Sequence, residues 1–229
     1  MGIKERKERE KEARREEIVA AAEKIFFEKG LAQATMDEIA EAAELSKGTL
    51  YLYYKSKEDL YLAVAMKGSE ILYQLFSKVL ASGEPTIRLI ENLGEAYYEY
   101  FKNYRDYFRM YYFFENPQVQ SQVSPEMMCV CQESDRKIWD VVVAILQRGI
   151  DEGLLRKNLD PLDAAVMLWS NSNGIMRIMD RQEEYWKGHM GLNLEKMMRA
   201  SNRMLVEGMM TDEAKKHTSF PVLEEQGPK

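Results

Sequence analysis

The chain has 229 residues, 45% of them hydrophobic and 31% charged, and a formal net charge of -6, the balance of a folded globular protein long enough to bury a sizeable core. The overall acidity excludes indiscriminate coating of nucleic acid, although a specific reader stays open because attraction depends on local patches. No stretch is apolar for the length that a membrane span requires, and the sequence is charged from Lys4 onward, so neither a span nor a signal peptide is expected and the location expected is cytoplasmic, with no membrane partner.

Residues 4 to 15 alternate charge without apolar periodicity. They hold seven basic side chains (Lys4, Arg6, Lys7, Arg9, Lys11, Arg14, Arg15) against four glutamates, which reads as a helical extension or a disordered arm, either reaching DNA or simply solvated. From Ile18 the apolar positions Ile18, Ala21, Ala22, Ile25 and Phe26 fall at helical spacing, and Gly30 ends that helix. Thr35-Met36-Asp37-Glu38 is a capping box that opens a short helix with Ile39, Ala40, Ala42 and Ala43 on its apolar side. After Glu44-Leu45 comes Ser46 as the cap of a second short helix. The window Leu45 to Lys57, LSKGTLYLYYKSK, holds three lysines, three tyrosines and no acid, a local reversal of sign in an acidic chain. Two short helices joined by a tight turn make a helix-turn-helix, and the second, with small residues at its start and basic and aromatic ones along it, suits the major groove. The core expected for this three-helix domain is Ile25, Phe26, Leu31, Ile39, Ala43, Leu50 and Tyr54.

The residues Gly30, Thr35, Ile39-Ala40, Ser46-Lys47-Gly48-Thr49-Leu50-Tyr51, Tyr53-Tyr54, Lys57 and Leu60 closely resemble the DNA-binding domain of the tetracycline-repressor (TetR) family. The resemblance covers roughly the first quarter of the chain, and it departs at Tyr54, where the family more often has phenylalanine at a packing position. It implies that Thr35, Ser46, Lys47, Gly48, Thr49, Tyr51, Tyr53 and Lys57 form the DNA-binding set. It also implies an all-α protein: a helix-turn-helix domain over 1–56, with the basic arm 1–15, and a larger helical ligand-binding and dimerisation domain over 57–211. A polar tail over 212–229 is expected to be disordered. The function implied is that of a ligand-responsive regulator, most simply a repressor, binding double-stranded DNA at an inverted repeat as a homodimer and released by a small hydrophobic or aromatic effector.

Farther along, a long helix is expected from near Lys57 to the stop at Ser82-Gly83-Glu84-Pro85, then helices over about 86–103 and 106–115, ended by Asn116-Pro117. Between Tyr97 and Phe114 eleven of eighteen residues are aromatic, against 10% of the whole chain. Such side chains can line an apolar cavity while offering hydroxyl groups, or simply make a helical core. With the resemblance, the expected effector lining is Tyr97, Tyr98, Phe101, Tyr104, Phe108, Tyr111 and Tyr112 together with Trp139, Trp169 and Asn173, and Glu95, Glu99 and Glu115 lean the effector toward a cation. Gln118 to Ser124 reads as a polar loop before a helix whose core face is Ile138, Trp139, Val142, Ile145, Leu146 and Ile150. Asp160 and Pro161 start the next helix, and a last one runs from about Asn193 to Met210. By the family's pattern these two form a dimer interface, expected at Ala165, Leu168, Ser172, Met176, Met198, Ser201 and Leu205.

A helical enzyme, or a ligand-binding or interaction protein without specific DNA binding, is the alternative. No Gly-rich phosphate loop, nucleophile elbow or HExxH occurs, and the only histidines are His189, expected in a surface linker, and His217. Catalysis, a metal and a cofactor are therefore not expected. Cys129 and Cys131 stand at i, i+2, too close to face the same side of a helix, and read as reduced thiols.

Overall fold

The computed structural model describes residues 2–218. All regular structure among them is α-helical, with one isolated antiparallel bridge between Leu155 and Met210. The helices are α1 (Ile3–Gln33), α2 (Met36–Ala42), α3 (Lys47–Tyr53), α4 (Lys57–Ala81), α5 (Thr86–Asn103), α6 (Arg105–Phe114), α7 (Pro117–Gln120), α8 (Pro125–Asp151), α9 (Pro161–Met190), α10 (Leu194–Met209) and α11 (Asp212–His217). No helix among the described residues is long and apolar enough to cross a membrane.

The described residues pack as two compact units, one of residues 2–71 and 104–136, the other of residues 72–103 and 137–218. In the first, Ile18, Ala22, Phe26, Leu31, Ile39, Leu50 and Tyr54 are buried around the joint of α1, α2 and α3. Ile25 and Ala43, expected in that core, are only half-buried: Phe26 and Ile39 supply the inward positions, and their neighbours lie to the side. Gly30 sits at φ 70, ψ 172, a conformation that closes the helical run of α1 as expected and that a Cβ would strain. The arm is helical rather than disordered, since α1 begins at Ile3. Asp59, buried on α4, accepts a hydrogen bond from the Ser124 amide at 2.7 Å, and Tyr61 sits edge-on to both Phe26 and Phe113, so the start of α4 is tied to residues 113–124 of its own unit. Where a loop was expected over 118–124, Asn116 caps the single turn of α7 instead, its side chain accepting from the Gln118 amide at 2.9 Å with Pro117 at the first helical position.

In the second unit, α9 and α10 lie side by side against α5. A small polar cluster sets their register: Asn171 Nδ2 donates to Ser201 Oγ at 2.9 Å and to Asn202 Oδ1 at 2.6 Å, and Ser172 Oγ exchanges hydrogen bonds with the Asn202 amide group. A slip of one helical turn would leave these half-buried groups unpaired, which costs about 1–3 kcal/mol each. His189 is not in a linker. α9 runs on to Met190, so His189 lies in its last turn with its ring stacked on Tyr185 at 5.1 Å, and Gly191 in the left-handed conformation ends the helix. Beyond it, Thr211 caps α11 through the Ala214 amide, so Asp212–His217 are helical where a disordered tail was expected; Gly227, Pro228 and Lys229 lie outside the described residues. Cys129 is exposed and Cys131 buried, on different sides of α8 as the spacing requires.

Candidate nucleic-acid interface

α3 is placed by its two ends. At its start the Ser46 hydroxyl accepts from the Thr49 amide at 3.1 Å and lies 2.8 Å from Thr49 Oγ1. Leu50, fully buried, and Tyr54, at 8% exposure, fix the inward face one turn apart. Burial of the Tyr54 ring pushes its phenol up to about 12, so the hydroxyl is neutral at any working pH. The turn before α3 carries Glu44 at φ 56, a conformation that side chains other than glycine adopt rarely, and it supplies the sharp reversal between α2 and α3.

The eight residues of the expected DNA-binding set occupy different positions. Thr35 is the N-cap of α2: its hydroxyl accepts from the Glu38 amide at 3.2 Å and donates to Glu38 Oε2 at 3.0 Å. Glu38 also holds Lys29 at 2.7 Å, which locks α2 to α1 and lowers the Glu38 carboxyl below its ordinary range. Lys47 projects from the first turn of α3 and pairs with Asp37 at 2.8 Å; the Asp37 hydrogen bond raises the ammonium's pKa. Because both side chains are more than half exposed, solvent screens the pair, which releases the lysine to a stronger anion at little cost. Tyr51 is exposed, Tyr53 and Thr49 are half-buried, and Gly48 is exposed. Lys57, expected at a phosphate, is half-buried with its Nζ donating to the Ala34 carbonyl at 2.9 Å, so in this conformation it braces the start of α4 against the α1–α2 corner.

Sequence reasoning missed Leu52. It is 82% exposed on α3. With Lys47, Gly48 and Tyr51 it makes the outward face of the helix, since positions i, i+1, i+4 and i+5 share one side. The signal was available: once Leu50 and Tyr54 turn inward, helical spacing sends Leu52 outward. A cation, a bare backbone, a phenol and a branched alkyl group on one narrow face match what the major groove presents: acceptor edges of guanine, close-lying phosphates and the thymine methyl.

Gly48 separates the demands of fold and reading. A Cβ built there meets only Ser46 Oγ, at the ordinary distance of 3.9 Å. The fold therefore does not require a glycine, and Gly48→Ala is expected to stabilise the folded protein by a few tenths to about 1 kcal/mol. The same methyl stands in the space into which a duplex backbone would come, so the substitution is expected to weaken binding to duplex DNA. Thermal unfolding and fluorescence anisotropy on the one variant check both signs.

The expected effector lining divides between the two units. In the second, the Tyr97 hydroxyl donates to Asn173 Oδ1 at 3.2 Å, and Trp139 meets Trp169 edge-to-face at 5.8 Å. Tyr98 and Phe101 stack at 6.2 Å, the Tyr98 hydroxyl donating to Glu195 at 2.8 Å while Lys102 and Arg199 both lie over its ring. Tyr104, Phe108, Tyr111 and Tyr112 belong to the first unit. There Phe108 is buried, Tyr111 donates to Asp135 at 3.4 Å, Tyr112 is half-buried and Tyr104 is exposed at the N-terminal end of α6. Burial raises the Asp135 carboxyl, and the Cys131 thiol beside it is pushed up to about 12. Glu95 is paired with Arg199 at 2.7 Å, which weakens the lean toward a cation.

Of the expected interface residues, Ala165, Ser172, Met176 and Met198 are buried inside the single chain, and Leu168, Ser201 and Leu205 are half-buried. They are the face by which α9 and α10 pack within their own unit. The apolar face left open is Leu162, Val166 and Met167 on α9 with Met197 and Met204 on α10.

Residues 18–64 match the family of bacterial regulatory proteins described as the tetR family. The chain is 28% identical over 158 residues to YhgD, an HTH-type transcriptional regulator of Bacillus subtilis (strain 168), covering 68% of this chain and 78% of that protein. It is 25% identical over 150 residues to the HTH-type transcriptional repressor KstR2 of Rhodococcus jostii (strain RHA1), covering 66% of this chain and 72% of the repressor. In fold it is similar to the transcriptional regulator FadR of Bacillus subtilis in complex with stearoyl-CoA, with a TM-score of 0.64 at 18% identity over 84% of this chain and 98% of FadR.

Proposed function

We propose, from the premise that this chain is a helix-turn-helix transcriptional regulator of the tetR family, that it acts in the cytoplasm as a homodimeric repressor that binds an inverted repeat and lets go when a hydrophobic effector binds. The outward face of α3 carries the DNA-binding half of this reading. Lys47 reaches a guanine edge, Tyr51 and the Ser46 end of the helix meet phosphates, and Leu52 packs on a thymine methyl. The functional division remains the one the sequence suggests, with reading in residues 1–56 and effector binding and dimerisation in residues 57–211.

Dimerisation rests on the exposed stripe of α9 and α10. Val166, Ser170 and Gly174 recur at i, i+4 and i+8, and Met197, Met204 and Gly208 at i, i+7 and i+11, all of them exposed. A Cβ on Gly174 or Gly208 would meet nothing, so a second copy of the pair has room to approach closely. An isologous contact of this kind relates the two copies of α3 by the same two-fold axis and calls for a palindromic target.

For the effector, the stearoyl-CoA held by FadR supports an acyl or comparably apolar molecule, and the Tyr97–Asn173 pair offers such a ligand one polar anchor amid aromatic walls. α4 and α8 each begin in one compact unit and end in the other. A ligand that favours one setting of these helices shifts the population able to bind DNA, by a coupling of about 1–3 kcal/mol. Long-chain acyl-CoAs, free fatty acids and hydrophobic cations are titrated against the quenching of Trp139 and Trp169 fluorescence, then into a preformed complex with a selected duplex. A ligand of this class is expected to lower DNA affinity roughly five- to a hundred-and-fifty-fold. Saturating binding that leaves the complex intact contradicts the switch while leaving DNA reading standing.

A further inference from the structure

The arm at the start of α1 has an order that its composition hides. The helix is unbroken from Ile3 to Lys29. At 100° per residue Lys4, Lys7, Lys11, Arg14 and Arg15 fall within an arc of roughly 100°. None of the glutamates at 5, 8, 10, 12, 16 and 17 lies inside that arc. The other side is net acidic, its two arginines held on the helix: Arg6 pairs with Glu10 at 2.7 Å, and Arg9 donates to the Glu5 carbonyl. Arg14 and Arg15 lean out of the stripe to Glu17 and Glu12, at 2.6 and 3.3 Å. Lys4, Lys7 and Lys11 pair with no acid among the described residues. The same arc leads into Ile18, which is fully buried in the reading domain. Arg15 and Glu12 both act electrostatically on the Tyr54 hydroxyl at the end of α3, so the foot of the stripe stands beside the reading helix.

We propose that this helical stripe is a second DNA-binding element, which lies along the phosphates flanking the bases that α3 reads. This deepens the reading given under Proposed function and rests on it. The stripe spans about 16 Å from Lys4 to Arg15, at 1.5 Å per residue, and its free lysines are compact, strongly hydrated charges suited to phosphates and not to base edges. The arm therefore adds affinity and salt dependence without adding base preference. An acidic protein gains a local cation track where DNA arrives, while the opposite, glutamate-rich face repels stray polyanions.

The test uses the full chain, with duplexes selected from a random library and then made in two lengths, one trimmed to the enriched bases and one carrying about ten further base pairs on each side. Binding is followed by fluorescence anisotropy from about 50 to 200 mM KCl. The triple variant Lys4→Gln, Lys7→Gln, Lys11→Gln keeps helix propensity. It is expected to flatten the plot of log Kd against log salt by about 5.4 for the dimer, three lysines on each of two arms at ~0.9 for each phosphate contact. Over that range the wild-type dimer then weakens on the order of a thousandfold more than the variant. The wild type binds the long duplex more tightly than the trimmed one, and the variant loses that advantage; deletion of residues 2–11 does the same. The control Arg6→Gln with Arg9→Gln, on the opposite face, leaves the slope as it was. An unchanged slope in the triple variant overturns the proposal, as does an equal loss in the control. A wild-type chain that selects no duplex overturns the parent reading, and the arm with it.

Discussion

Replacing Met204 with arginine is expected to turn the proposed dimer into a monomer and to weaken binding to an inverted repeat by at least about a hundredfold, because two linked half-site contacts become one. Met204 is 71% exposed in the single chain. An arginine there disturbs nothing within the fold, and unfolding of the monomer stays within about 0.5 kcal/mol of an ordinary surface substitution. In a two-fold interface the same position faces its own symmetry mate, or a neighbour of it, so one substitution buries two cations without partners. Val130, 48% exposed on α8 in the other unit, serves as the control: Val130→Arg leaves the dimer intact. Sedimentation velocity separates the outcomes, and a Met204→Arg chain that sediments as a dimer removes α9 and α10 as the interface.

The second large effect belongs to Lys47. Replacing it with alanine removes a cation held at the start of α3 by Asp37, on the most exposed face of the helix. A lysine or arginine on a guanine edge contributes about 1–3 kcal/mol of discrimination per half-site, and the dimer uses it twice. Lys47→Ala is therefore expected to relax the base preference at one symmetric pair of positions and to lower affinity roughly 30-fold or more. Leu52→Ala relaxes a different pair, where thymine is preferred, and by less. Selection from random duplexes followed by sequencing distinguishes the two. Loss of affinity with no change in the selected bases would place Lys47 on a phosphate.

Much of this was legible in the sequence because the reading domain is built from local signals. The Thr35 and Ser46 caps, the Glu38 partner of the capping box and the Gly30 stop act within a few residues of themselves, and each stands where the spacing put it. The residues that face outward were harder to read. Leu52 looks like core by its chemistry, and only the phase set by Leu50 and Tyr54 exposes it. Lys57 looks like a phosphate ligand by its charge, but a backbone carbonyl some twenty residues earlier holds it. The expected interface residues pose a related difficulty, since Ala165, Ser172, Met176 and Met198 are buried within the single chain. A helix with apolar residues on more than one side buries one of them within its own chain, and which one depends on where α5 packs, which periodicity along α9 and α10 cannot say. The aromatic run is the extreme case: eleven rings in one stretch serve both compact units, and their division follows from the break at Asn103–Arg105, not from composition.

Sequence-specific reading by α3 is tested most directly by one anisotropy titration of the wild-type chain, at about 150 mM salt, against its selected inverted repeat and against a duplex of the same length and composition with both half-sites scrambled. A preference of a thousandfold or more for the repeat is expected, the lower end of specific over non-specific recognition. Equal affinity for the two duplexes, falling together as salt rises, would contradict it and leave only a surface that attracts phosphate.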